Sequence, residues 1–135
     1  MYYGCCLCGN VKFTLSGSIN DIVHCHCSLC RKAQGSAFAT NANVDAATFK
    51  FTSGEDNLTA YSSSNAQKKY FCSTCGSPIM SKNTDSPDTI RIRLGTIESD
   101  ISERPSAHIF VSSKANWETL PENDAVPQYD GYIKK

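Results

Sequence analysis

The sequence predicts a mainly β domain made of short antiparallel strands. Apolar and polar residues alternate in segments 11–15 and 90–94, and this two-residue period is typical of strands with one buried face. Turn-forming residues, among them Ser16-Gly17-Ser18 and the segment from Gly54 to Asn57, separate such segments. Many short strands joined by turns of this kind indicate antiparallel sheets.

The remaining elements follow in chain order. Ile22-Val23 leads into a cysteine-rich segment, and the residues from Ser28 to Gln34 have helix-forming character, with Ser28 as the expected N-cap and Gly35 as the terminator. Residues from Pro121 onward lack periodicity and are expected to wrap the surface. Further strands are expected at 37–40, 49–52, 58–61, 69–71, 79–80 and 108–111.

Length and charge indicate one domain, spanning 1–135, and exclude some classes of partner. Thirteen basic residues balance thirteen acidic ones, so the chain lacks the basic surface of a nucleic-acid-binding protein and the polybasic anchor of a membrane-bound one. No signal peptide is recognisable, and no segment approaches the ~18 apolar residues of a membrane span. We therefore expect a cytoplasmic protein, whose reducing surroundings keep thiols free of disulfides.

Eight cysteines lie in three groups along the chain. Zinc takes four ligands at tetrahedral angles, and cysteines in C-x-C or C-x-x-C spacing can direct both sulfurs to one ion. Disulfides are the alternative, which these spacings and the lack of a secretory signal disfavour. The groups are Cys5, Cys6 and Cys8; Cys25, Cys27 and Cys30; and Cys72 and Cys75.

Two of these groups predict a closed, structural zinc site. Cys6 and Cys8 supply two ligands, Cys72 and Cys75 supply two more, and each pair needs the other. Metal binding at a closed site contributes directly to folding, by about 10–16 kcal/mol in zinc-finger peptides. Cys5 points away from its neighbours in an extended segment, and we expect it to be a buried or partly buried free thiol.

The third group predicts a second zinc site with an open position. Cys25, Cys27 and Cys30 can occupy three corners of one tetrahedron, and catalytic zinc sites characteristically keep three protein ligands. The alternative is a closed Cys3His site that uses His24 or His26. In an extended segment both histidines face away from Cys25 and Cys27, which disfavours this alternative.

Several other side chains are weaker candidates for a role near these cysteines. His24 and His26 are expected to donate hydrogen bonds to thiolate sulfur, and His108 is expected to be structural. For Arg91 and Arg93, the alternative is recognition of a substrate carboxylate. The simplest expectations are a solvated helix face for Arg31 and Lys32, an exposed strand face for Arg91 and Arg93, and packing for Trp117.

Four motifs in order resemble the glutathione-dependent formaldehyde-activating enzyme family, which includes proteins similar to centromere protein V. They are C-x-C-G-x-V-x-F (Cys6 to Phe13), H-C-x-C-S-x-C-R-K-A-x-G (His24 to Gly35), F-C-S-T-C-G-S (Phe71 to Ser77) and H-I-F-V-S-S-K-A-N-W (His108 to Trp117). The resemblance covers about residues 3–119, which leaves a C-terminal extension at 120–135. It implies a β-tent domain of antiparallel sheets around a structural zinc.

The same resemblance carries expectations about the sites and the activity. It implies two zinc ions per chain, with Cys6, Cys8, Cys72 and Cys75 at the structural one and Cys25, Cys27 and Cys30 at the catalytic one. It also implies a carbon–sulfur lyase that acts on a glutathione–aldehyde adduct, with glutathione as co-substrate or another small thiol in its place. The alternative function is a non-catalytic, zinc-stabilised protein-binding module, since a fold does not fix a function.

Overall fold

The computed structural model describes residues 1–121 and 126–133. Within them, an α-helix, α1 (Ser28–Gln34), follows the third strand, and 3-10 turns occupy 46–48, 55–57, 94–96 and 111–113. No helix of this part of the chain is long and apolar enough to cross a membrane. The strands are β1 (Tyr2–Cys5), β2 (Lys12–Leu15), β3 (Asn20–Cys25), β4 (Ala39–Asp45), β5 (Phe49–Ser53), β6 (Leu58–Ser62), β7 (Gln67–Cys72), β8 (Pro78–Asn83), β9 (Thr89–Arg93) and β10 (Ala107–Ile109).

The strands form two sheets. The smaller has the order β1-β2-β5, and the larger has the order β10-β3-β4-β9-β8-β7-β6. All pairs are antiparallel except β10 with β3, which run parallel. A parallel pair needs a long connection, and here more than eighty residues lie between Cys25 and Ala107. The prediction of a mainly β, antiparallel domain is confirmed, with this one parallel pair as the exception.

Two hydrophobic clusters hold the sheets in place. The larger joins both sheets, because Phe13 and Leu15 of β2 pack in the same cluster as Ile92 of β9. The smaller surrounds Cys25 and Cys30 on the other face of the larger sheet. Strand β3 contributes to both, since neighbouring residues of a strand point to opposite faces: Ile22 belongs to the first cluster and Val23 to the second.

Helix α1 has the predicted bounds but a different N-cap. Its N-cap is Cys27, whose sulfur accepts a hydrogen bond from the Cys30 backbone N–H at 3.3 Å. Ser28 is therefore the first helical residue and not the cap. Gly35 ends the helix in the left-handed region at φ 62°, as predicted. A sulfur takes the place of the usual hydroxyl oxygen, so the cap and a candidate metal ligand are the same atom.

The C-terminal segment departs from the prediction in one place, the end of its strand. Strand β10 ends at Ile109 and not at residue 111, because Phe110 takes the left-handed conformation at φ 56°. The following chain then pairs with the sheet edge: the Tyr129 N–H donates to the His108 carbonyl oxygen at 2.9 Å, and Gln128 forms a parallel bridge with His108. Residues 122–125 and 134–135 of the expected extension lie outside the described residues.

Candidate metal centres

Four cysteines from distant parts of the chain come together where the two sheets meet. Cys6 and Cys8 follow β1, whereas Cys72 ends β7 and Cys75 lies in the turn before β8. All four sulfurs lie within 4.8 Å of one another. The Cys8 sulfur lies 3.5 Å from the Cys6 sulfur and 3.7 Å from the Cys72 sulfur. Tetrahedral zinc with Zn–S bonds near 2.3 Å places its sulfurs ~3.8 Å apart, whereas a disulfide needs about 2.05 Å.

Local backbone geometry explains how this four-cysteine cluster forms. Gly76 has φ 79°, and its N–H donates to the Cys72 carbonyl oxygen at 2.8 Å, which closes the turn between the two cysteines. The Val11 N–H donates to the Cys6 sulfur at 3.2 Å. A hydrogen bond with Ser77 lowers the pKa of Cys75 to about 5. The contacts of Val11 and Ser77 favour the thiolate forms of Cys6 and Cys75, the form in which cysteine binds zinc.

The second group of cysteines lies at the junction of β3 and α1. Cys25 ends the strand, Cys27 caps the helix, and Cys30 lies in its first turn. Their sulfurs also lie within 4.8 Å of one another. Among residues 1–121 and 126–133, no histidine, carboxylate or fourth cysteine joins this three-cysteine cluster. The donors are all thiol sulfur, so the group fits zinc, and neither His24 nor His26 completes a Cys3His site.

The three-cysteine cluster is buried and faces positive charge. Cys25 is 2% exposed and Cys30 is 7% exposed. The hydrogen bond between these two thiols lowers the pKa of Cys30 to about 5 and raises that of Cys25, and the charges of Lys69 and Arg93 further lower that of Cys30. These interactions favour the thiolate form of Cys30.

Arg93 is buried, which corrects the prediction of an exposed strand face. Its side chain is 4% exposed, and its closest polar contacts are long: Nη1 lies 3.4 Å from Ser81 Oγ and 3.5 Å from the Arg91 carbonyl oxygen. Its Nε is buried without a hydrogen-bond partner. Burial lowers the pKa of Arg93, and the charges on Cys30, Cys25 and Cys27 oppose that shift. Arg93 is thus a buried cation whose charge interacts with the three-cysteine cluster.

The histidines form a stack away from the sulfurs, which corrects the expected role of His26. His26 is fully buried, and its Nε2 lies 3.0 Å from His108 Nδ1, while its own Nδ1 has no hydrogen-bond partner. It therefore donates to no thiolate. His24 contacts Thr40 Oγ1 through Nδ1 at 2.9 Å, and Phe38 packs against the rings of both His24 and His26. His108 is structural, as expected.

Three other predictions have mixed outcomes. Cys5 lies outside both clusters and is partly buried, as expected, and its sulfur donates to Glu98 Oε1 at 2.8 Å. Trp117 is 70% exposed, so the expectation that it packs in the interior is wrong. Lys32 is exposed, in agreement with a solvated helix face, whereas Arg31 is half-buried.

Sequence reasoning missed the surroundings of the three-cysteine cluster. The alternation of Arg91 and Arg93 with apolar residues favours an exposed strand face, and recognition of a substrate carboxylate is only the alternative. The strand predicted at 69–71 contains Lys69 but indicates no role for it. The pairing order of the strands brings these cations to the face that carries Cys25, and no local pattern encodes that order.

Comparisons with known proteins were made against families, curated sequences and solved structures. Residues 1–113 match the family described as glutathione-dependent formaldehyde-activating enzyme. A Halomonas elongata protein, whose name gives this same enzyme as a provisional assignment, is 27% identical over 137 aligned positions, which cover 96% of this chain and 87% of that protein. A crystal structure of a Rhodobacter sphaeroides protein has a TM-score of 0.62 at 26% identity and covers 76% of this chain and 97% of its own. The chain belongs to the glutathione-dependent formaldehyde-activating enzyme family.

Proposed function

We propose that the protein is a zinc-dependent enzyme of the carbon–sulfur lyase type that forms or cleaves S-hydroxymethylglutathione. The observation that carries this proposal is the three-cysteine cluster, which no further ligand joins among the described residues. Zinc sites that act on substrates characteristically keep three protein ligands and one exchangeable position. Two zinc ions per chain follow from the two clusters, a structural one and one at the reaction centre.

The proposed chemistry is reversible addition of a thiol to a carbonyl. Zinc bound by three soft thiolates supplies a position that favours a fourth thiolate over the acidification of water. The sulfur of glutathione attacks the carbonyl carbon of formaldehyde, and the C–S bond forms as the π electrons of the C=O bond move to oxygen. The proton that the thiol gave up ends on that oxygen. No oxidant or reductant is needed in either direction.

The chain itself positions and shields this centre. Cys25 and Cys30 are almost fully buried, which limits access of water to the sulfur that reacts. Cys27 is fixed by the end of β3 on one side and by its helix-capping hydrogen bond on the other. Lys69 and Arg93 supply positive charge close to the cluster, and this charge favours the thiolate form of an incoming thiol.

The experiment combines metal content with turnover. Metal-replete protein is expected to contain two zinc ions per chain and to accelerate formation of S-hydroxymethylglutathione, which NMR exchange spectroscopy of a glutathione–formaldehyde mixture measures. Cys27→Ala is expected to stay folded, retain one zinc and lose the acceleration. Cys5→Ala, which removes a thiol outside both clusters, is the matched control and should keep both zinc ions and the activity.

Two results would contradict the proposal. A single zinc in metal-replete wild-type protein would rule out the two-site arrangement. Two zinc ions with neither glutathione binding nor turnover would favour the alternative, a non-catalytic zinc-stabilised module that binds another protein.

A further inference from the structure

One face of the larger sheet connects the three-cysteine cluster with a row of polar side chains. Residues directly opposite each other on paired strands share a face. Cys25 pairs with Ala39, and Asn41, two residues along β4, lies on that face and pairs with Arg93. On the same face, a second row runs across four strands through Asn43, Arg91, Ser81 and Lys69.

Three cavities lie along this face. The first, of about 280 Å³, has Lys69 and Arg93 on its sheet side and Ala33 and Gln34 of α1 opposite. Those two helix residues follow Cys30 by three and four positions, so they lie on its side of the helix. The other two cavities, of about 190 and 330 Å³, meet at Arg91. Arg93, which lines the first cavity, lies two residues along β9 from Arg91, and we refer to the three cavities together as the trough.

The charge of this trough differs from that of the whole protein. The chain is neutral, with thirteen basic and thirteen acidic residues. The described lining of the three cavities carries a single carboxylate, that of Asp21, and four cations: Lys69, Lys82, Arg91 and Arg93. Excess charge of one sign in a cleft attracts a ligand of the opposite sign.

Two residues that line the first cavity each have a buried polar atom without a hydrogen-bond partner. These residues are Arg93, at its Nε, and Gln34, at its Oε1. Buried polar groups in folded proteins are almost always satisfied, so each exception needs an explanation. A polar ligand that fills the cavity provides one, since it can accept from the guanidinium and donate to the amide oxygen.

We infer that Lys69, Arg91 and Arg93 form a carboxylate-recognition site that selects acidic thiols for the three-cysteine cluster. The sulfur of such a thiol enters the cluster, and its carboxylates lie along the trough against the cations. Glutathione fits this requirement because it carries two carboxylates at a distance from its thiol. The inference rests on the proposed function for the identity of the thiol, and it adds the residues that distinguish glutathione from a neutral thiol.

The test compares glutathione with its diethyl ester, which has the same thiol and no carboxylates. Calorimetric titration of zinc-loaded protein measures both dissociation constants without any turnover. The ester is expected to bind wild-type protein at least about tenfold more weakly, since each lost charged hydrogen bond weakens binding by about that factor or more. Arg91→Met and Lys69→Met are expected to weaken glutathione binding by a similar factor and to leave ester binding unchanged.

Lys50→Met is the matched control, because Lys50 is an exposed cation on β5 of the other sheet. It should not change either dissociation constant. Equal affinity of wild-type protein for glutathione and its ester would overturn the inference, and so would an equal loss of glutathione binding in Lys50→Met and Arg91→Met. The ester comparison needs no variant, so it decides the matter even if a substituted protein fails to fold.

The results also separate this inference from the proposed function. Carboxylate-dependent binding without turnover of formaldehyde would uphold the recognition site and overturn the proposed reaction. Turnover at the same rate with glutathione and its ester would uphold the proposed reaction and overturn the recognition site. Absence of both binding and turnover would overturn both.

Discussion

The two cysteine clusters have similar sulfur geometry but are built in opposite ways. The four-cysteine cluster joins segments that are more than sixty residues apart, whereas the three-cysteine cluster comes from six consecutive residues, Cys25 to Cys30. The four-cysteine cluster is the more open to solvent, since Cys8 is exposed and Cys75 is half-buried. The three-cysteine cluster is largely buried, and a cationic cavity lies beside it.

Under the proposed function, this difference fits a structural role for the four-cysteine cluster and a catalytic role for the three-cysteine cluster. A cross-link between distant segments removes much of the freedom of the unfolded chain, and zinc bound there contributes directly to folding. A local cluster constrains little chain and adds less stability, but it can be held rigidly by a strand end and a helix cap. Exposure to solvent matters little at a site whose ligands are all supplied by the chain. It matters much more where a substrate must bind in place of water.

The largest expected effect is the loss of a ligand from the four-cysteine cluster. Cys75→Ala leaves three thiols, with only Cys72 on the β7 side, and weakens the cross-link between β7 and the N-terminus, so we expect the chain to lose much of its stability at 25 °C. A domain of this size has a stability of about 5–15 kcal/mol, which is no larger than the contribution of a structural zinc. Circular dichroism and zinc analysis measure the result, with Cys5→Ala as control. A soluble, thermally stable Cys75→Ala protein would contradict the structural assignment.

Graded removal of zinc tests the comparison without mutation. The three-cysteine cluster supplies one ligand fewer, and loss of even an outer-shell partner lowers metal affinity by about 10–100-fold. We therefore expect one zinc ion to leave at a chelator concentration at least about tenfold lower than the other, with the fold intact until the second one leaves. Metal content and circular dichroism recorded along one chelator series measure this order. Simultaneous loss of both ions, or early unfolding, would show that the two sites are not distinct.

A smaller effect is expected from Gly54→Ala, which changes the support of the four-cysteine cluster. Gly54 has φ 74°, and a Cβ there would collide with the carbonyl oxygen of Asn10, two residues after Cys8. We expect a loss of about 1–3 kcal/mol in the free energy of unfolding, measured by denaturant titration. Glutathione binding at the other cluster should be unchanged.

The control for this substitution is Gly95→Ala, since a Cβ at Gly95 meets no atom within 4 Å. It should alter the free energy of unfolding by less than about 0.5 kcal/mol. Equal effects of the two substitutions would mean that the contact between Gly54 and Asn10 does not support the cluster.

The smallest effect concerns the histidine stack behind the three-cysteine cluster. Burial, followed by the rings of His108 and His24, lowers the pKa of His26 to about 4. In the unfolded chain, His26 binds a proton near pH 6.5. The free energy of unfolding therefore does not depend on His26 above that pH, and it falls as the pH drops from 6.5 toward 4, because the unfolded state binds the proton first. NMR titration of the His26 ring should therefore show no inflection between pH 8 and 5. An inflection near pH 6.5 would contradict its burial.

Much of the molecule could be predicted because the signals are local. Strand periodicity located most strands, helix-forming residues and the terminator Gly35 located α1, and cysteine spacing grouped the residues that the structure brings together. Predictions failed where position in space decides the outcome. The sequence around Arg93 does not differ from that around an exposed strand arginine, yet Arg93 is buried. The sequence around Trp117 likewise does not distinguish it from a packed tryptophan, yet Trp117 is exposed.

The metal donors could be assigned from the sequence: seven of the eight cysteines, in C-x-C and C-x-x-C spacing, predict two metal sites because such spacings can direct the sulfurs to one tetrahedral ion. The residues that surround these cysteines depend on the tertiary structure. Strand order places Arg91, Arg93 and Lys69 on the face of Cys25, and pairing between strands depends on long-range packing of both sheet faces. For this reason the ligands could be read from the chain, whereas the cationic trough beside them could not.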